Sequence, residues 1–186
     1  MNNKLELKEH SNFLTQRNLE FINQIVLSKD FPFFIQNFDP IDEKNLYKSK
    51  NIFLSHTVQK RLETCSLKEA INSPYYEESV DILNNFCKAI NQKVMFYTRI
   101  NYNLTFNNGN KKSHIHLDHD GFDHKQIIIY LNDCDKNATT CIVNDNNKLI
   151  KEIEPKKYKG ICFNSLKHYQ RFPKTGHRVI LVATFI

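Results

Sequence analysis

VMFYTRINYNLTF, residues 94–106, decides how this chain folds. Its side chains alternate in character and are rich in aromatic and β-branched types, the pattern of a strand with two different faces. Upstream the apolar period is helical. Phe13, Leu14, Leu19, Phe21, Ile22, Ile25 and Val26 recur at spacings that fit one helix face. After the break at Ser73-Pro74, Val80, Ile82, Leu83, Phe86, Cys87 and Ile90 do so again, predicting a helix over about 75–92. Residues 31–35 read as a short strand with Pro32 near its start or on an edge. Residues 41–74 read as irregular, with a helix around 58–64. Downstream, strands are expected at 114–118, 127–131, 139–143, 149–153, 160–163, 168–172 and 178–185. The run Ile127-Ile128-Ile129-Tyr130-Leu131 is apolar throughout, so both its faces should be buried. Helices first and then about eight short strands predict an α+β, mainly β fold. Its core is a double-stranded β-helix, or jelly roll, over 93–186, supported by a mostly helical 1–92 in one domain spanning 1–186.

Composition narrows the class. The chain has 186 residues, enough for one substantial core. Fourteen Phe and eight Tyr supply large core side chains and argue against disorder. The formal charge is +6, but the lysines are scattered and no long basic run occurs, so a solvated surface explains them better than a nucleic-acid partner. Five cysteines at irregular spacing, with no Cys-Xaa-Xaa-Cys, argue against a disulfide framework or zinc knuckle and suit a reducing compartment. Neither a signal-peptide core nor a run of about 20 apolar residues is present. A cytoplasmic protein with no membrane partner is expected.

The chemistry concentrates in His116-Leu117-Asp118, His168 and Arg178. In a strand, residues i and i+2 share a face, so His116 and Asp118 can bind one metal ion together. His168 on a later strand can supply a third ligand. Two histidines and a carboxylate on one face of an octahedron leave three open positions, a geometry that suits non-haem Fe(II) binding a chelating cosubstrate and O2. His114 shares the face of His116 and reads as a neighbour of the site rather than a ligand. His119 and His124 are expected in a loop at its mouth, and His177 on the face opposite Arg178.

Taken with their order and spacing, several pieces resemble the Fe(II)/2-oxoglutarate-dependent oxygenases. They are His116-Leu117-Asp118, the stretch His124 to Asn132, Glu154-Pro155 with Gly160-Ile161-Cys162-Phe163, His168 and Arg178. The resemblance covers roughly the C-terminal half. It is nearest to the compact prolyl-hydroxylase-like branch and to short members found in bacteriophages, which would place a phage-encoded protein in the host cytoplasm. It implies a dioxygenase with His116, Asp118 and His168 on Fe(II) and 2-oxoglutarate and O2 as cosubstrates, with ascorbate as a further cofactor. Arg178 would take the distal carboxylate of 2-oxoglutarate, because a guanidinium pairs with a carboxylate bidentately. Tyr130, Tyr102 and Thr140 are implied as further cosubstrate contacts, and Thr105 as a pocket residue. The substrate would be a peptidyl proline or another amino-acid residue, peptide, protein or small molecule.

Two departures from that family stand out. Its Gly-Gly-Xaa-Thr corresponds here to Asn137-Ala138-Thr139-Thr140, and no Ser or Thr lies between Val179 and Ala183. Arg178 and Tyr130 must then carry more of the carboxylate recognition. Asp118 is a carboxylate, so no ligand position is open to a halide and hydroxylation is favoured over halogenation. The alternative is a cupin-like metal protein that uses no 2-oxoglutarate, suggested by His114-Ile115-His116; the glutamate and glycine pattern of cupins is absent.

Overall fold

Ten strands, among the residues described, build two antiparallel sheets that share one layer of apolar side chains. The computed structural model describes residues 4–37, 52–119 and 121–186. The strands are β1 (Leu7–His10), β2 (Phe34–Asn37), β3 (Ile52–Gln59), β4 (Tyr97–Phe106), β5 (Lys125–Tyr130), β6 (Thr140–Val143), β7 (Leu149–Ile153), β8 (Gly160–Asn164), β9 (His168–Gln170) and β10 (His177–Phe185). The larger sheet runs β1-β8-β5-β10-β4-β3-β2 and the smaller β7-β6-β9. This is the expected mainly β jelly roll.

Alternation along the central strands separates two buried layers. On β10, Ile180 and Val182 join Ile128, Tyr130 and Phe163 against Ile142 and Ile153 of the smaller sheet. Val179, Leu181, Ala183 and Phe185 face the other way, with Ile127, Ile129, Ile100 and Tyr102, into a core covered by the helices. Each large apolar side chain buried there contributes about 1.5–3 kcal/mol, so β5 and β10, buried on both faces, anchor the fold.

The helices bear out the 3.6-residue period. α1 (Gln16–Phe21) starts at Thr15, which forms a capping box with Asn18, and runs on into a π-helical turn at Ile22–Val26. A short α2 (Leu67–Ala70) precedes α3 (Tyr76–Ala89). α3 buries Ser79, Ile82, Leu83, Phe86 and Cys87, has Glu77 and Glu78 in its first turn and Lys88 in its last, and is followed by Asn91 in the left-handed region. Phe86 packs edge-on against Phe13, with ring centroids 5.0 Å apart. It also lies directly over Gly160, where a Cβ would come within 2.4 Å of its ring. Gly160→Ala should therefore destabilise the protein by about 1–3 kcal/mol through overpacking, measured as a lower urea midpoint at unchanged m.

Three expectations need correction. The helix around 58–64 is not formed: residues 52–59 are β3, where Ser55, His56, Val58 and Gln59 are buried. Pairing with β4 outweighs local propensity there. The N-terminal half is not simply helical support, because β1, β2 and β3 all join the larger sheet. Residues 114–118 make no continuous strand; the pairing is reduced to isolated bridges, Lys112 with Arg171 and His116 with His168. The remainder of the 41–74 stretch read as irregular includes 41–51, which lie outside the described residues. No helix among the described residues is long and apolar enough to cross a membrane.

Candidate metal centre and its cavity

His116 and His168 are joined through their backbones. His116 N donates to His168 O (3.0 Å) and His168 N to His116 O (2.9 Å). This bridge carries residues 116–118 to the end of the smaller sheet and brings the two imidazoles within 4.4 Å of each other, centroid to centroid. Two residues on, the Asp118 carbonyl accepts from Arg61 Nη1 instead of a neighbouring strand, which ends the pairing and turns the carboxylate inward. One ligand atom from each of His116, Asp118 and His168 lies within 4.8 Å of the other two. The three expected ligands are thus brought together.

Tautomers favour metal binding. His116 Nδ1 contacts His114 O (3.2 Å) and His168 Nδ1 contacts Leu166 O (3.1 Å); a carbonyl needs a donor, so both rings carry the proton on Nδ1 and the lone pair on Nε2. Asp118 Oδ1 accepts from Arg99 Nη2 at 2.6 Å, whereas Oδ2, also buried, has no hydrogen-bond partner. Such an oxygen is costly unless a cation or donor completes it. Two imidazoles and one carboxylate with an unpaired oxygen fit a divalent transition metal. Gln126 Nε2 lies 3.3 Å from His168 Nε2, so a metal at that nitrogen displaces this contact.

The electrostatics agree. Burial alone would raise the Asp118 carboxyl, but the Arg99 guanidinium, with help from His168, His116 and Arg61, holds it well below the usual carboxylate range. Burial, reinforced by His116 and opposed by Asp118, pushes His168 down to about 4. Between pH 6.5 and about 4 an unfolded chain therefore binds a proton here that the folded chain does not. The stability of metal-free protein should fall as pH drops through that window, on the order of 3 kcal/mol from His168. Burial lowers His119 and His124 as well, which adds in the same direction. Urea unfolding at pH 7 and at pH 4.5 measures this.

The centre opens into a cavity of about 370 Å³ between the sheets. Its wall takes Arg99, Asn101 and Asn103 from β4, Gln126 and Ile128 from β5, and Arg178, Ile180 and Val182 from β10; Thr140, His168, Tyr169 and Gln170 close it from the smaller sheet. Arg178 is 1% exposed and donates from Nη1 to Ala138 O (2.8 Å), while its Nε has no partner. The Asn-Ala-Thr-Thr departure thus supplies the carbonyl that holds the arginine. Tyr130 is fully buried behind Thr140 and donates to its Oγ1 at 2.8 Å. Burial pushes its phenol up to about 12, so it stays protonated.

Strand parity separates the remaining candidates. Tyr102 is on the opposite face of β4, in the helix-side core, with its hydroxyl 2.9 Å from Ser79 Oγ. It is not among the cavity residues, and its assignment as a cosubstrate contact is corrected. Thr105, of the other parity, pairs in register with Arg178 and has a buried hydroxyl without a partner. His114 lines the cavity but is outside the ligand cluster. His177 is exposed, as expected from its parity.

His119 and His124 lie outside any helix or strand, as expected of a loop, and both are buried. Thr98 donates to Thr184 Oγ1 (2.7 Å), Thr184 to His119 Nε2 (2.7 Å), and His119 Nδ1 meets Glu63. This network, with Arg61 beside His119 and donating to the Asp118 carbonyl, supports the metal-binding segment from behind. Sequence reading missed Arg61 and Glu63, which are distant in the chain. It also missed Arg99, Asn101 and Asn103, whose signal was available: polar residues at every second position of an otherwise apolar strand.

No protein-family model matches the sequence, and no curated protein matches it. Solved structures do match the fold. An oxidoreductase of the 2OG-Fe(II) oxygenase family from Burkholderia pseudomallei superposes with a TM-score of 0.68 at 14% identity, over 97% of this chain and 84% of that one. A prolyl-4-hydroxylase from Pseudomonas putida gives 0.55 at 11%, over 96% and 91%. A Trichoplax adhaerens prolyl hydroxylase, in complex with a hypoxia inducible factor oxygen degradation domain peptide fragment, gives 0.58 at 14%, over 97% and 83%. The chain has the jelly-roll fold of these proteins.

Proposed function

We propose that this protein is a non-haem Fe(II)- and 2-oxoglutarate-dependent dioxygenase that hydroxylates a C–H bond of an amino-acid-derived substrate. One observation carries the reading: the buried Asp118 Oδ2, which accepts no hydrogen bond and lies 3.5 Å from His168 Nε2, beside two Nδ1-protonated imidazoles, at one end of a cavity that holds the buried Arg178. The fold shared with 2OG-Fe(II) oxygenases supports it.

His116, Asp118 and His168 would hold the iron. Fe(II), when bound with 2-oxoglutarate and O2, supplies the oxidation: the cosubstrate becomes succinate and CO2, and one oxygen atom enters the C–H bond. The chain's own residues do the rest. Arg178 pairs with the distal carboxylate, and the Tyr130–Thr140 pair fixes a hydroxyl beside it. Ile128, Ile180 and Val182 exclude water from the middle of the cavity. Arg99 and Arg61 fix Asp118 from its side chain and its carbonyl. His114 stays outside the cluster, so the cupin-like alternative is not favoured.

The test needs no substrate. Fe(II) and 2-oxoglutarate added to metal-free protein without oxygen should give the weak visible charge-transfer band of the chelate, and His116→Ala should abolish it. Metal binding without the band would reject the use of 2-oxoglutarate.

A further inference from the structure

Among the described residues, five buried side-chain polar atoms have no hydrogen-bond partner: Arg99 Nε, Asn101 Oδ1, Thr105 Oγ1, Asp118 Oδ2 and Arg178 Nε. Four belong to residues that line the cavity, and the fifth, Thr105, is the register partner of Arg178. Buried polar groups are otherwise satisfied throughout a folded protein, so their concentration here marks the surfaces that ligands complete. Asp118 Oδ2 is accounted for by the metal. Arg178 Nε and Thr105 Oγ1 lie at the cosubstrate end.

Arg99 Nε and Asn101 Oδ1 are left over. They are two residues apart on the cavity face of β4, opposite Thr184 and Val182 of β10. Val182 is four residues along β10 from Arg178, about 13 Å of strand, so Arg99 and Asn101 belong to the metal end of the cavity rather than to the Arg178 end. A substrate that reaches the metal comes to this same end of the cavity, where Arg99 is bonded to Asp118. The charge of the lining identifies its chemistry. Arg61, Arg99 and Arg178 face a single carboxylate, Asp118, and the metal adds further positive charge. An Arg Nε–H in such a setting is best completed by an anionic acceptor.

We propose that the substrate is held by a carboxylate, which accepts from Arg99 beside the metal ligands, with Asn101 bonding its neighbouring polar group. This rests on the oxygenase reading. The carboxylate can come from a free α-amino acid, whose ammonium would donate to Asn101 Oδ1, or from an acidic side chain within a peptide.

The experiment measures succinate release by the Fe(II)-loaded enzyme with 2-oxoglutarate and four probe sets. These are free L-amino acids, the same compounds as carboxamides, end-blocked tripeptides with a central Asp or Glu, and an end-blocked tripeptide with a central Pro. A carboxylate-bearing probe should raise release about tenfold over the substrate-free rate, and its carboxamide should not. Free acids acting alone identify the amino acid as the source; blocked Asp or Glu peptides acting alone identify the side chain. Asn101→Ala should raise KM for the active probe about tenfold, with kcat and the charge-transfer band little changed. Carboxamides or the proline peptide working as well as the acids would overturn the proposal. So would a full panel of acids failing on enzyme that forms the band. Absence of the band itself sinks the oxygenase reading, a separate result.

Discussion

Asp118→Ala should weaken Fe(II) binding by roughly 100-fold or more and abolish succinate release, because it removes one of three ligands rather than a supporting group. The carboxylate does two tasks: Oδ2, buried without a hydrogen-bond donor and 3.5 Å from His168 Nε2, faces the imidazoles, and Oδ1 closes the Arg99 ion pair. Removing it also leaves the Arg99 guanidinium next to two histidines without its counter-charge. Equilibrium dialysis against Fe(II) under anaerobic conditions measures the loss. Retention of wild-type affinity would show that the metal sits elsewhere.

Arg178→Ala should act at the opposite end of the cavity and leave the metal alone. Losing one partner of a buried charge-assisted pair costs about 2–4 kcal/mol, which corresponds to a roughly 30- to 1,000-fold higher Kd for 2-oxoglutarate. Fe(II) affinity should change by less than about threefold, since Arg178 belongs to the end of β10 remote from Thr184 and the Arg99 level. Titration of the charge-transfer band with 2-oxoglutarate, beside a separate Fe(II) titration, distinguishes the two effects. An unchanged 2-oxoglutarate affinity would remove Arg178 from the cosubstrate site.

What the sequence disclosed follows from which periods it displays. β4, β5 and β10 announced themselves because burial on one or both faces imposes a pattern at every second residue. α3 did so because one of its faces is wholly internal. β3 was misread since its neighbours on the sheet, β2 and β4, decide its conformation, and that pairing has no local signature. The metal ligands were legible as residue types at a spacing. Their convergence depends on the His116–His168 bridge, across 52 positions of sequence, which periodicity cannot show. Tyr102 was misplaced through parity: it and Arg99 alternate on β4, and only one set can face the cavity. The roles of His119 and Glu63 depend on a contact between distant segments, so nothing local disclosed them.

The bridge that aligns the two histidines has a consequence for the protein's durability. Residues 116–118 lie outside every strand and are tied to β9 by one pair of backbone hydrogen bonds. A metal shared by His116, Asp118 and His168 would act there as a removable cross-link closing a long loop, in the manner of a clasp on a folded belt. Iron supply would then regulate how long the molecule survives as well as how fast it works, with the metal-free form opening first at this seam and meeting proteases there.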